Sequence, residues 1–223
     1  MRTLTVNDVP VALWTPENTT GPRRLILICH GGGQHKTAPA VVHLAQRFTS
    51  AGYAVAAADV PNHGERPTDQ KLERLANTIQ ARVDGGEDLA SLLAAFQAQV
   101  AAQTVPEWQA VLDHLGVDTA GYWGVSLGCG LGVPFVAAEP RVRAAVLGLG
   151  GAAANAEVAA RITVPVEFLI QWDDERVPRE QSLALFDAFG SAEKTLHANP
   201  GKHSDRLPEH EIDSAIRFFA RYL

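Results

Sequence analysis

The sequence predicts an α/β fold: a mostly parallel sheet with helices on both faces, opened by an antiparallel hairpin. Three observations predict it. Apolar runs of strand length recur at 24–29, 53–58, 119–125, 143–149, 164–171 and 194–198, and stretches of helical period separate them. Strands that alternate with helices are joined by right-handed crossovers, which leave neighbouring strands parallel. The run Leu25-Ile26-Leu27-Ile28-Cys29 is apolar throughout, as a strand covered on both faces must be. The third observation is where the unusual loop residues fall. His30 to Gly33, Asp59 to Gly64, Ser126, Asp174 and His203 all follow strand-like runs, and ligands of such sheets bind beyond the carboxyl ends of the strands.

The elements follow in order. Residues 3–6 and 9–14 are short apolar runs split by Asn7-Asp8, a hairpin signal. A polar, turn-rich segment at 16–22 leads into the buried run at 24–29, which ends in His30-Gly31-Gly32-Gly33. Successive glycines cost chain entropy and pack nothing, so the backbone there must approach something closely or present its N–H groups. A helix is expected over 38–50, with Val41, Leu44, Ala45 and Phe48 on one face. After the strand at 53–58 come Leu72, Leu75, Ala76, Ile79 and Val83 at helical spacing. Asp84-Gly85-Gly86 breaks that pattern, and Leu89, Leu92, Leu93, Phe96 and Val100 then repeat it. Thr104-Val105-Pro106-Glu107 has the form of a capping box with proline in the first turn, so a third helix is expected to open there. Further helices are expected over 127–138, 155–161, 179–189 and 208–222.

A chain of 223 residues with 46% hydrophobic and 20% charged residues suits one globular domain spanning 1–223. The net charge of −6 and the lack of any basic run argue against nucleic acid and anionic membranes as partners. The N-terminus shows no apolar leader segment and no run reaches transmembrane length, so a cytoplasmic protein is expected. Cys29 and Cys129 suggest two buried reduced thiols. No His/Asp/Glu set shows ligand spacing, so no metal and no cofactor is expected.

Chemistry centres on Gly124-Val125-Ser126-Leu127-Gly128, a G-x-S-x-G between a strand-like and a helix-like run. A serine hydroxyl is a weak nucleophile and must be exposed and paired with a base. A sharp strand-to-helix turn supplies the exposure, and flanking glycines relieve the crowding it creates.

With His30-Gly31-Gly32-Gly33, the turn at Gly124 to Gly128, Asp174-Glu175-Arg176-Val177-Pro178 and His203 in that order, the chain resembles the α/β-hydrolase superfamily. The nearest branches are its dienelactone-hydrolase-like and prolyl-oligopeptidase-like serine hydrolases. The resemblance spans nearly the whole chain and implies the α/β-hydrolase fold. It also implies a catalytic set of nucleophile Ser126, general base His203 and orienting acid Asp174. Enzymes named dienelactone hydrolase carry a cysteine nucleophile where this chain has Ser126, which argues against dienelactone as substrate.

His203 is favoured over His197 because the base must come from the loop after the last strand, whereas His197 lies within that strand. His210 is expected on the surface of the last helix. Strand alternation turns Asp173 away from Asp174, and Glu175 is expected to be solvated. The oxyanion hole implied is the backbone N–H of Leu127 with that of Gly32 or Gly33. A phosphate-cradling role for 30–33 is disfavoured because the P-loop lysine and hydroxyl are missing. His30 and His63 are expected to brace loops.

The function expected is hydrolysis of small carboxylic esters through an acyl-enzyme, with peptidase or thioesterase activity as alternatives on the same triad. A binding protein without turnover is the reading from another class. Residues 65–103 hold more helix than a crossover needs and are expected to form a small cap. Oligomeric state is left open.

Overall fold

A computed structural model of the protein describes residues 1–17, 24–84 and 90–223. Strands β1 (Arg2–Val6) and β2 (Val9–Trp14) form the expected hairpin. Its turn residues Asn7 and Asp8 take φ of 46° and 65°, the left-handed conformation that Asn and Asp tolerate best after glycine. The remaining strands are β3 (Leu25–Cys29), β4 (Ala54–Ala58), β5 (Ala120–Val125), β6 (Val142–Gly148), β7 (Val166–Gln171) and β8 (Lys194–Asn199). The sheet order is β1-β2-β4-β3-β5-β6-β7-β8. Strand β2 is antiparallel to β1 and β4, and every other neighbouring pair is parallel.

Helices α1 (Pro39–Ser50) and α7 (Glu209–Tyr222) cover one face of the sheet. Helices α3 (Ala90–His114), α4 (Leu127–Ala138), α5 (Ala152–Ala159) and α6 (Arg179–Ala188) cover the other. Strand β3 shows why its sequence is apolar throughout. Leu25, Leu27 and Cys29 enter the core shared with Trp108, Leu112 and Phe135. Ile26 and Ile28 enter the opposite core, with Phe48 of α1 and Phe219 of α7. Phe48 meets Trp123 and Phe219 at ring separations of 5.8 and 5.7 Å, and truncating such a fully buried ring to alanine costs about 3–5 kcal/mol.

The region after β4 departs from expectation. Helix α2 (Gln70–Asp84) is present, while Gly85, Gly86 and Leu89 lie outside the described residues. No new helix opens at Thr104. Helix α3 runs through it for 25 residues with Pro106 inside, a length of about 37 Å at 1.5 Å per residue. The Thr104 hydroxyl donates back to the Val100 carbonyl at 2.9 Å instead of capping. Glu107 is engaged by Arg66 at 2.7 and 3.0 Å. Burial decides the matter: Val100, Ala101, Thr104, Trp108, Val111 and Leu112 form one buried stripe across the proline, and keeping that stripe outweighs the lost backbone hydrogen bond.

Candidate active site

The turn between β5 and α4 holds Ser126 at φ 57° and ψ −119°, a conformation that non-glycine residues adopt only when their surroundings enforce it. The flanking glycines show the enforcement. A Cβ on Gly124 would lie 2.4 Å from the Gly128 carbonyl oxygen, and one on Gly128 would lie 2.8 Å from that of Cys29. The Tyr122 hydroxyl donates to the Gly128 carbonyl at 2.6 Å, fixing the first turn of α4.

The loops after β7 and β8 are zipped together by backbone. Trp172 N–H donates to Asn199 O at 2.7 Å and Asp173 N–H to Gly201 O at 3.0 Å. Lys202 N–H donates to the Asp205 carboxylate at 2.8 Å, and Gln171 Nε2 donates to the Asp205 carbonyl at 2.7 Å. This arrangement sets Asp174 against His203. His203 Nδ1 lies 2.7 Å from Asp174 Oδ2, and its Nε2 lies 2.8 Å from Ser126 Oγ. The carboxylate only accepts, so Nδ1 carries the proton; Nε2 is then the acceptor for the serine hydroxyl. The other Asp174 oxygen accepts from the backbone N–H groups of Arg176 and Val177, each at 2.8 Å. Burial alone would raise the Asp174 carboxyl, but the bonds from His203, Val177 and Arg176 outweigh it and hold it below the usual carboxylate range.

The other candidates fall elsewhere. Asp173 is exposed. His197 sits in β8 with Nδ1 2.5 Å from Glu211 on α7, and His210 is an exposed residue of α7. Glu175 is exposed to solvent, and its carboxylate also accepts the His203 backbone N–H at 3.1 Å. A contact to a backbone N–H across 28 positions leaves no trace in residue spacing.

In the glycine loop, Gln34 N–H donates to Gly31 O at 3.2 Å and Gly33 takes φ 72°, the pattern of a type II turn with glycine third. Gly33 N–H is taken by His63 Nε2 at 3.2 Å, and Gly31 N–H by Gln34 Oε1 at 3.4 Å. Gly32 N–H has no partner among the described residues, and neither has that of Leu127 at the start of α4. His30 is buried and neutral, its pKa lowered to about 4 mainly by burial. Its Nδ1–H donates to Gly31 O at 2.9 Å, and its Nε2 accepts from Val60 N–H at 3.3 Å.

Cys29 and Cys129 are free and buried, and burial pushes both thiols up to about 12. Away from Ser126, Glu167, His197 and Glu211 bring ligand-type atoms within 4.8 Å of one another. Residue spacing hides this set because it draws on β7, β8 and α7. Among the described residues, no helix is long and apolar enough to cross a membrane.

The sequence model of the α/β hydrolase fold matches residues 24–179. The chain belongs to the α/β-hydrolase fold family. As a hydrolase of this family it is similar to a cold-adapted esterase from an Arctic intertidal metagenomic library. The two share 32% identity at a TM-score of 0.79, over 100% of this chain and 92% of that one. It shares its fold with the Pyrococcus furiosus esterase Pf2001, at 16% identity and a TM-score of 0.66 over 99% and 91% of the two chains. It also shares it with a dienelactone hydrolase from Anabaena variabilis, at 19% identity and 0.64 over 100% and 96%. No curated protein matches the chain significantly.

Proposed function

We propose that this hydrolase cleaves small carboxylic esters through an acyl-enzyme on Ser126. The observation that carries the reading is the line of hydrogen bonds from Ser126 Oγ through His203 to Asp174, at 2.8 and 2.7 Å, at a strained turn that exposes the hydroxyl. Similarity to an esterase at 32% identity supports the ester as the bond cleaved.

Ser126 Oγ attacks the ester carbonyl carbon while His203 Nε2 takes its proton. Asp174 keeps the imidazole in the Nδ1–H form and stabilises the imidazolium that forms. The uncommitted N–H groups of Gly32 and Leu127 are the donors for the oxyanion. As the tetrahedral intermediate collapses, His203 gives its proton to the departing alkoxide. Water then attacks the acyl carbonyl carbon as His203 removes its proton, and the second intermediate collapses by breaking the bond to Ser126 Oγ, which takes the proton from His203 as the acid leaves. Hydrolysis by this route draws on side chains and backbone alone.

Residues 65–103 are proposed as a small helical cap. Helix α2 follows directly on the loop after β4. Helix α3 leads into the start of β5, so its N-terminal half lies toward the carboxyl ends of the strands. Free buried cysteines suit a reducing compartment, which supports the cytoplasm as the place of action.

A fluorophosphonate probe is expected to label Ser126 at one equivalent. p-Nitrophenyl esters of two to eight carbons, set against a thioester and a peptide anilide, are expected to give the highest kcat/KM on an ester. Absence of both labelling and turnover would overturn the proposal, and faster thioester or anilide cleavage would replace the ester in it.

A further inference from the structure

We infer that His63 is a positioning residue for the oxyanion loop. The inference rests on the reading of Ser126 as the nucleophile and goes beyond it, because His63 belongs to another loop and touches no atom of the serine, histidine and aspartate line.

The two loops are separate in sequence and meet at one backbone donor. His63 Nδ1 lies 2.9 Å from the Pro61 carbonyl, which only accepts, so Nδ1 carries the proton. Its Nε2 lone pair is thereby aimed outward, and it accepts the Gly33 N–H at 3.2 Å. A type II turn can flip its central peptide, the unit joining Gly32 and Gly33, at small cost when glycines flank it. In one orientation Gly33 N–H points to His63. In the other that donor turns away and the turn loses its tether to His63, which frees the whole glycine loop, and the Gly32 N–H with it, to shift. The hydrogen bond from Gly33 therefore selects one orientation of an otherwise loose turn.

The acceptor itself is held firmly. The His63 ring lies 5.1 Å from the buried His30 ring. Two residues before and after His30 the chain is strand β3 and the glycine turn, so the two imidazoles join the bases of both loops. The loop that carries His63 is fastened by Asp59, whose carboxylate accepts from Lys36 N–H and Lys36 Nζ, each at 2.7 Å, and from Glu65 N–H at 3.0 Å. Gly64 has no room for a side chain, since a Cβ there would lie 2.3 Å from the Asp59 carboxylate. Asn62 exchanges two hydrogen bonds with Asp69, both at 2.8 Å, just before α2. The loop is thus a rigid post anchored to the segment after β3 and to the start of α2, and among the described residues His63 is the one side chain by which it grips the glycine turn. A donor aimed in advance at the developing oxyanion acts without reorganising at the moment of reaction, and His63 supplies that prior aim.

The test is a double-mutant cycle. His63→Phe keeps a ring against His30 and removes the acceptor, whereas His63→Gln keeps an acceptor oxygen. Gly32→Pro deletes the proposed oxyanion donor at the turn position where proline fits. On p-nitrophenyl acetate, His63→Phe is expected to lower kcat about 10- to 100-fold with KM within about threefold, since losing an oxyanion donor outright costs about 10²–10³. His63→Gln is expected to recover most of that loss. Adding His63→Phe to Gly32→Pro is expected to change kcat less than threefold, because the donor it aims is already gone. Wild-type kcat in His63→Phe, a loss that glutamine does not relieve, or full additivity with Gly32→Pro would each overturn the inference. If His63→Phe does not fold, His63→Leu enters the same cycle. Failure of the fluorophosphonate to label wild-type Ser126 would instead strike the underlying reading, and is scored separately.

Discussion

The backbone N–H of His203 donates to the Glu175 carboxylate at 3.1 Å, beside the Asp174 that holds the ring of the same histidine at 2.7 Å. Neighbouring acids thus grip one histidine twice, by its backbone and by its imidazole. Glu175 is fully exposed, so its grip is screened by water. Glu175→Ala is expected to lower kcat about three- to tenfold by loosening the loop, with an unchanged melting temperature. A loss as large as that of Asp174→Asn would make Glu175 a member of the reacting set.

Asp174→Asn is expected to lower kcat by about 10⁴, because an amide beside Nδ1 admits the wrong tautomer. Asp173→Asn and His197→Ala are expected to stay within about threefold of wild type, since Asp173 is exposed and His197 is held by Glu211. Steady-state kinetics on one ester separates them.

Ser126→Ala is expected to abolish turnover, by a factor on the order of 10⁶, and to leave the fold intact. The backbone at φ 57° makes a second expectation. Ser126→Gly should be more stable than Ser126→Ala by about 1 kcal/mol, as relief of backbone strain exceeds the entropy that glycine adds to the unfolded chain. Equal urea midpoints would show that the turn is not strained.

Two carboxylates predict opposite responses to pH. The Asp174 carboxyl is held below its ordinary value of about 3.9. Its contribution to stability is therefore full above that value and is lost as pH falls through the folded-state pKa. Asp174→Asn should flatten the acid side of the stability profile. Glu167 is raised above the usual range by burial, and its Oε1 has no hydrogen-bond partner among the described residues. A raised acid favours folding as pH falls toward the unfolded value and costs stability above the folded one. Glu167→Gln should stabilise the protein at neutral pH by about 1 kcal/mol, with a gain that shrinks as pH is lowered. Calorimetry from about pH 2 to pH 8 reads both, because the Asp174 contribution is lost below the ordinary carboxylate value and the Glu167 contribution changes above it.

A cleft of about 400 Å³ lies between α3, α4 and α5, lined among others by Gln97, Ala101, Gly130, Pro134 and Val158. Gln97 lies against Gly130, one turn beyond Ser126: a Cβ on Gly130 would come within 2.6 Å of the Gln97 amide carbon. Gln97→Ala should open the cleft toward Ser126 and raise kcat/KM for longer acyl esters relative to short ones, by up to about tenfold. An unchanged ratio across the ester panel would remove the cleft from substrate selection.

The layers of the fold and the place of the candidate site are legible in residue order. Short unbroken apolar runs such as Leu25 to Cys29, bounded by turn residues, suit strands covered twice, and a serine between Gly124 and Gly128 after such a run marks a sharp turn. These are properties of neighbouring residues, and residue order carries them directly. That Thr104 and Pro106 lie inside α3 is a product of packing, because the buried stripe from Val100 to Leu112 exists only once the sheet is there to cover. Tertiary structure brought Glu175 to the backbone of His203 and His63 to that of Gly33. A hydrogen bond to a backbone N–H demands no particular residue at the donor position, so 28 or 30 positions away the sequence holds no record of it.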